Sequence, residues 1–388
     1  NHMGMEYPMI CFNGYRPEED GTYSERTKKG LISVVIHEVG HNYFPMIVNS
    51  DERQWTWMDE GLDSFVQYLA EQEWDRDYSS RRGKASGIVN YMKGDKSNIM
   101  PIMTNSESIY QFGANAYGKP ATALNILRET IMGRELFDFA FKEYSQTWMF
   151  KHPTPTDFFR IMENASAIDL DWFWRGWFFG NDHVDLSLDS VDWYQLSSMN
   201  PEIEKELQKE EEGNSPEYIG NIRNETDVKE TVTERDPAAR DFYDNYDKNQ
   251  VTDRDRREYE DFLDDLSDEE RELVSKNDNF YSVTFSDKGG LIMPIILEFE
   301  YEDGEKEVIR IPVEVWRFNR GTVTKIFKTE KPVKNMTLDP FLETADVDRG
   351  NNHWPEKVEP TRFETFKQGG WDSGKNLMQR VLDNETKE

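Results

Sequence analysis

His37-Glu38-Val39-Gly40-His41 constrains this chain more than any other segment. Four residues of helix turn about 400°, so His37 and His41 share one face, one turn apart. The apolar period of Gly30-Leu31-Ile32-Ser33-Val34-Val35-Ile36 just upstream predicts that helix. Two imidazoles so spaced can meet one tetrahedral Zn²⁺ at roughly 2.0–2.1 Å. Glu38 points to a neighbouring face, where it can reach a water rather than the ion. A catalytic zinc site also needs a third protein ligand and one open position. Glu60, in Trp57-Met58-Asp59-Glu60-Gly61, is the candidate. The intervening residues 42–59 are enough for a loop and an antiparallel return helix, and the expectation is one Zn²⁺ per chain. The pattern is short and needs context. Here it lies on an apolar helix, in a chain with only six histidines, and is followed by a suitably spaced acid.

The remaining organisation is read from changes in composition. The chain has 388 residues, enough for two or three domains, and 36% are hydrophobic, enough for real cores. Its 46 basic and 76 acidic residues give a formal net charge of −30, which speaks against nucleic acid and anionic membranes as partners. The excess acid is mostly a solubility feature, and it also suits the cationic N-terminus of a peptide. No apolar run approaches the roughly 20 residues needed to span a bilayer, so no membrane insertion is expected. Cys11 is the single cysteine, which excludes an intrachain disulfide.

Asn1-His2-Met3 reads as an expression scar. Residues 4–196 read as a mainly helical catalytic domain, with further helices predicted over Asp59–Ala70, Pro120–Met132 and from Thr154 onward. Trp172–Phe179 is strongly aromatic and reads as packing rather than a cofactor site. Residues 197–275 turn highly charged and read as an acidic polar helical linker or insert. Residues 276–345 alternate: Tyr281–Phe285, Ile292–Tyr301, a turn at Asp303-Gly304, then Val308–Val315, a pattern that fits a small antiparallel β-sandwich. Residues 346–388 read as a polar C-terminal tail. The fold class is therefore α+β and multidomain.

The motifs together resemble the gluzincin zinc aminopeptidases, the group of aminopeptidase N, the tricorn-interacting factors and leukotriene hydrolase. The family pattern of H-E-x-x-H, eighteen residues, then Glu is matched from His37 to Glu60. Its upstream G-x-M-E-N element is met at its Met-Glu core by Gly4-Met5-Glu6-Tyr7, with Tyr7 in place of Asn. Its Tyr-x-K-G element is met by Tyr117-Gly118-Lys119-Pro120, with Pro in place of Gly. The residue before the ligand Glu, usually Asn, is Asp59. The resemblance covers residues 4 to about 195. It implies a thermolysin-like catalytic domain followed by a β-sandwich, and an N-terminal β domain of the full-length protein that is missing from this sequence.

The resemblance also implies roles. His37, His41 and Glu60 hold zinc, and Glu38 is general base and then acid. The Tyr117 hydroxyl stabilises the oxyanion. Glu6, with Gly4 and Met5, receives the free N-terminus of a peptide substrate. Asp63, one turn after Glu60, is a candidate to orient a ligand histidine, or else a solvated helix acid. Tyr110 has no motif around it and reads as packing or cleft lining; His152 and His183 lack metal spacing and read as surface or structural residues. A zinc- or peptide-binding relative without activity, and an endopeptidase or epoxide hydrolase on the same site, are the alternatives.

Overall fold

A computed structural model describes residues 4–244, 246–276, 278–319, 321–357 and 376–385. The expected scar, and residues 358–375 and 386–388 of the expected tail, lie outside the described residues. The fold is a mixture of helices and antiparallel sheet, divided into two compact units. One holds residues 1–191, 283–324 and 333–388; the other holds residues 192–282 and 325–332. No described helix is long and apolar enough to cross a membrane.

The first unit opens with a two-stranded antiparallel ribbon, β1 (Gly4–Tyr7) and β2 (Ile10–Asn13), pairing Glu6 with Cys11. Helix α1 (Glu25–Gly40) starts at Ser24, whose hydroxyl accepts the Thr27 amide at 3.1 Å, a normal N-cap. Helix α2 spans Glu60–Trp74. The turn that feeds it, Thr56–Met58, is pinned because Trp57 and Met58 are 1% and 0% exposed. Trp57 packs on Phe178 and Phe158 at 4.9 and 5.6 Å between ring centroids. That aromatic cluster is built by α6 (Pro155–Ser166) and α7 (Asp171–Phe179), so the Trp172–Phe179 stretch is core, with Phe173, Trp177 and Phe178 fully buried.

Between them lie α3 (Val89–Met92), α4 (Lys119–Ile126) and α5 (Arg134–Thr147). The helix predicted over Pro120–Met132 divides: α4 ends at Ile126 and Leu127–Ile131 winds more loosely as a π-turn. Helix α6 starts in a reciprocal capping box between Thr154 and Asp157.

Strands β3 (Leu186–Gln195), β4 (Asn279–Asp287) and β7 (Thr322–Thr329) form a sheet in the order β3-β4-β7. Strands β5 (Ile295–Tyr301), β6 (Lys306–Ile311), β8 (Val333–Leu338) and β9 (His353–Trp354) form another, ordered β6-β5-β8-β9 with antiparallel pairs. β6 stops at Ile311, short of the predicted Val315, because Pro312 has no amide to donate and Val313–Trp316 coil into a helical turn. At the start of the expected polar tail, Asp346 is 5% exposed and accepts the Leu186 amide at 3.2 Å.

The second unit holds α8 (Pro201–Asn214), α9 (Ile219–Asp227), α10 (Val232–Arg235), α11 (Asp253–Asp265) and α12 (Asp268–Ser275). Among their described residues only Pro201 is buried.

Candidate metal centre and active site

Helices α1 and α2 lie side by side because Gly40 has no side chain: a Cβ there would run into the Asp63 carboxylate. That close approach brings the motif side chains together. His37 Nε2 and His41 Nε2 lie 3.1 Å apart, and Glu60 Oε2 lies 3.1 Å from the first and 3.5 Å from the second. Tetrahedral zinc with bonds of about 2.0–2.1 Å spaces its ligand atoms roughly 3.3–3.4 Å apart. The three donor atoms therefore already describe one face of such a tetrahedron, and a two-histidine, one-carboxylate donor set suits Zn²⁺.

The outward ring nitrogens are also held. Asp63 Oδ2 lies 2.6 Å from His37 Nδ1, and Asp63 is 1% exposed, so it is no solvated helix acid. His41 Nδ1 lies 2.9 Å from the Phe44 carbonyl and 3.0 Å from Asp59 Oδ1. Partners of this kind fix ring orientation and leave each Nε2 free to face the centre. Asp59 was legible only as a departure from the family's Asn; its contact with His41 comes from its position on the turn before α2.

Charge in this cluster follows from burial and contact. Burial works to lower both histidine pKa values. Contacts with Asp63 and Glu60 nevertheless push His37 up to about 9, and those with Asp59 and Glu60 push His41 up to about 12. Burial raises Glu60, but the two imidazoles hold it down to about 2. The pocket thus favours positive charge where the imidazole nitrogens meet. Burial raises Glu38 to about 7 against the pull of His37 and His41. Glu38 is 5% exposed and its Oε2 has no hydrogen-bond partner, an orphaned buried acceptor beside the donor triangle.

The other predicted residues are distributed around this centre. The Tyr117 hydroxyl donates to Glu60 Oε1 at 2.5 Å, and its ring stacks on His37 at 5.8 Å. Burial and the neighbouring Glu60 raise the Tyr117 pKa. Glu6, on β1, has its Oε2 4.0 Å from His41 Nε2 and groups with Glu38 and His41, their ligand atoms within 4.8 Å of one another. Gly4 lies against Glu38 so closely that a Cβ would overlap its carboxylate. Met5 and Glu6 line a cavity of about 490 Å³ together with Asp51 and Glu52, residues with no motif to mark them. Tyr110 is exposed; His152 bonds the Asn49 carbonyl at 3.0 Å, and the His183 backbone bridges to Gly290. None of the three reaches the centre.

The family described as Peptidase family M1 domain matches residues 2–177. Glutamyl aminopeptidase from Bos taurus is 25% identical over 183 residues, covering 46% of this chain and 19% of that protein. Probable aminopeptidase 2 from Sulfurisphaera tokodaii is 27% identical over 166 residues, covering 41% and 21%. A solved structure of Legionella pneumophila aminopeptidase A in complex with aspartic acid overlaps 84% of this chain and 27% of its own at 12% identity and a TM-score of 0.43. The matches span only about a fifth of the length of these curated relatives. Residues 2–177 thus match the peptidase family M1 domain, the group of gluzincin aminopeptidases that the sequence motifs resemble.

Proposed function

We propose that this chain is the catalytic part of a zinc aminopeptidase that removes N-terminal residues from peptides. The observation that carries the reading is the triangle of His37 Nε2, His41 Nε2 and Glu60 Oε2 with the unpartnered Glu38 carboxylate beside it. The finer domain reading belongs with it: a thermolysin-like domain over 4–196, an acidic helical insert over 197–275 and a β-sandwich over 276–345.

His37, His41 and Glu60 would hold zinc, which would supply Lewis-acid chemistry for the scissile carbonyl and a water. Glu38 takes a proton from the attacking water and hands it to the departing amine as the C–N bond breaks. Its raised pKa favours both halves of that transfer near neutral pH. Tyr117 lends its hydroxyl to the oxyanion, exchanging its bond to Glu60 for one to the substrate. Glu6 pairs with the substrate α-ammonium and so sets the first peptide bond over the centre.

The test is release of nitroaniline from an aminoacyl-nitroanilide. Activity should vanish with a chelator, return with zinc, and fall roughly 10²–10⁴-fold in Glu38→Gln. N-acetylation of the substrate should abolish cleavage. Chelator-insensitive release would sink the metal reading, and equal cleavage of acetylated and free peptides would sink the aminopeptidase reading.

A further inference from the structure

On the Glu38 side of the centre lies a larger cavity, about 930 Å³. Gly4, Val34, His37, Glu38 and Tyr117 line its near end, and Arg26, Lys29, Arg81 and Arg82 line the rest. Four cations around one cavity run against the character of a chain with 76 acids and 46 bases. The local acids are mostly spent elsewhere. Glu25 pairs with Lys29 at 2.7 Å, and Glu71 accepts from Ser33 at 2.6 Å and Gln67 at 2.8 Å. Among the described residues Arg26, Arg81 and Arg82 have no acid partner.

Arg82 is the informative one. It is only partly exposed, and its guanidinium carbon lies 4.1 Å from the centroid of the Tyr117 ring. A guanidinium stays charged at any ordinary pH, and a largely desolvated one without a counter-ion is unfavourable unless something negative comes to it. Stacking on an aromatic face holds the group in place and leaves its N–H fork free to grip a carboxylate in two places.

Direction follows from the other side. Glu6 lies beside His41 and Glu38 and lines the smaller cavity, whereas Arg26, Arg81 and Arg82 line the larger one, which opens on Glu38 and Tyr117. A peptide anchored by its α-ammonium at Glu6 therefore sends the residues after the cut bond into the arginine-lined cavity. Arg82 and the Glu60 carboxylate both contact Tyr117, the first at its ring and the second at its hydroxyl, so Arg82 stands one side chain away from the centre.

We propose that this cavity binds a carboxylate of the departing peptide, with Arg82 as its principal partner and Arg81 and Arg26 adding charge. The preferred substrates are then short peptides with a free C-terminus, or peptides with an acidic residue immediately after the cut. This rests on the aminopeptidase reading for its direction along the peptide.

The experiment compares kcat/KM for Ala-Ala-Ala, its C-terminal amide, and Ala-Asp-Ala amide on the wild-type protein and on Arg82→Gln and Arg82→Lys. One charge-assisted contact should favour a carboxylate-bearing peptide over the neutral amide by about ten- to a hundredfold. A preference for the first peptide alone identifies the C-terminus as the source; one for the third identifies the side chain. Arg82→Gln should collapse the ratio towards one and Arg82→Lys should keep part of it. The ratio is the readout because any disturbance passed through Tyr117 lowers all three rates together. A wild-type ratio near one overturns the proposal while leaving the aminopeptidase reading intact. Calorimetric binding of the same three peptides to Glu38→Gln gives a second readout that needs no turnover. Equal affinities there sink the cavity proposal, whereas a carboxylate preference there, with no hydrolysis by the zinc-loaded wild-type protein, upholds it and sinks the peptidase reading.

Discussion

The helices α1 and α2 and the helices α8–α12 use charge in opposite ways. Around α1 and α2, Asp59, Asp63, Glu38 and two histidines are less than a tenth exposed, and each is held within hydrogen-bond reach of a partner or aimed at the centre. Along α8–α12, charged side chains face solvent and pair across short gaps, as in Lys205–Asp255 at 2.6 Å and Arg256–Glu202 at 2.9 Å. Coulomb interactions near the centre act with little screening, so a misplaced atom there changes function. On the charged helices water and salt screen the same interactions, and composition matters more than geometry. Replacing single charges in each region puts this contrast to the test.

The largest expected effect belongs to Lys119, at the start of α4 next to the Tyr117 motif. It is 1% exposed and, among the described residues, donates only to the Gly180 carbonyl, at 3.2 Å. Burial, helped by Lys96, depresses its pKa to about 8 from 10.5. Below pH 8 both folded and unfolded chains carry the proton, and the penalty for burying it is fully present. Between about pH 8 and 10.5 the unfolded chain binds more proton than the folded one, so stability rises with pH across that window. In Lys119→Met the penalty is absent. The stability difference between variant and wild type should therefore shrink by about 2–3 kcal/mol from pH 7 to pH 10, read by urea unfolding at each pH. A difference that does not vary with pH would mean that the ammonium finds solvent or an acid when folded.

Next comes Asp63. Asp63→Asn keeps the shape but removes the negative charge behind His37. Zinc affinity should fall about ten- to a hundredfold, measured by competition with a chromophoric chelator. An unchanged affinity would place the site's rigidity in the helix backbone instead, and Gly40→Ala, which drives a Cβ into Asp63, would then be the more damaging variant.

These two residues also show where sequence reading ends. His37, His41 and Glu60 were legible because helical period puts the two histidines on one face and the intervening residues 42–59 suffice for an antiparallel return helix. Asp63 was legible as a neighbour one turn on, but not as a residue buried against His37, since that depends on α1 and α2 touching at Gly40. Local chemistry foretold the capped start of α6 at Thr154 and Asp157. It missed the early end of β6 and the loosening after Ile126, which depend on Pro312 and on tertiary packing. Arg82 carried no signal at all. It sits in a loop after α2 and meets Tyr117, thirty-five positions on, only through the folded chain.

The smallest effect should come from the charged helices. Lys205 also donates to the Gln250 carbonyl at 2.9 Å, so its ammonium is held twice, yet both it and Asp255 keep about a quarter of their side chain in water. Lys205→Ala should lower the melting midpoint by no more than about 2 °C in dilute buffer. At 1 M salt the screening length falls to about 3 Å, and the difference should disappear. Faster amide exchange in α8 and α11, with none in α1 and α2, would localise it. A larger drop, or one that survives the salt, would show that this pair is desolvated like those around His37 and His41. The acidic helices would then be a built structure rather than a solvated one.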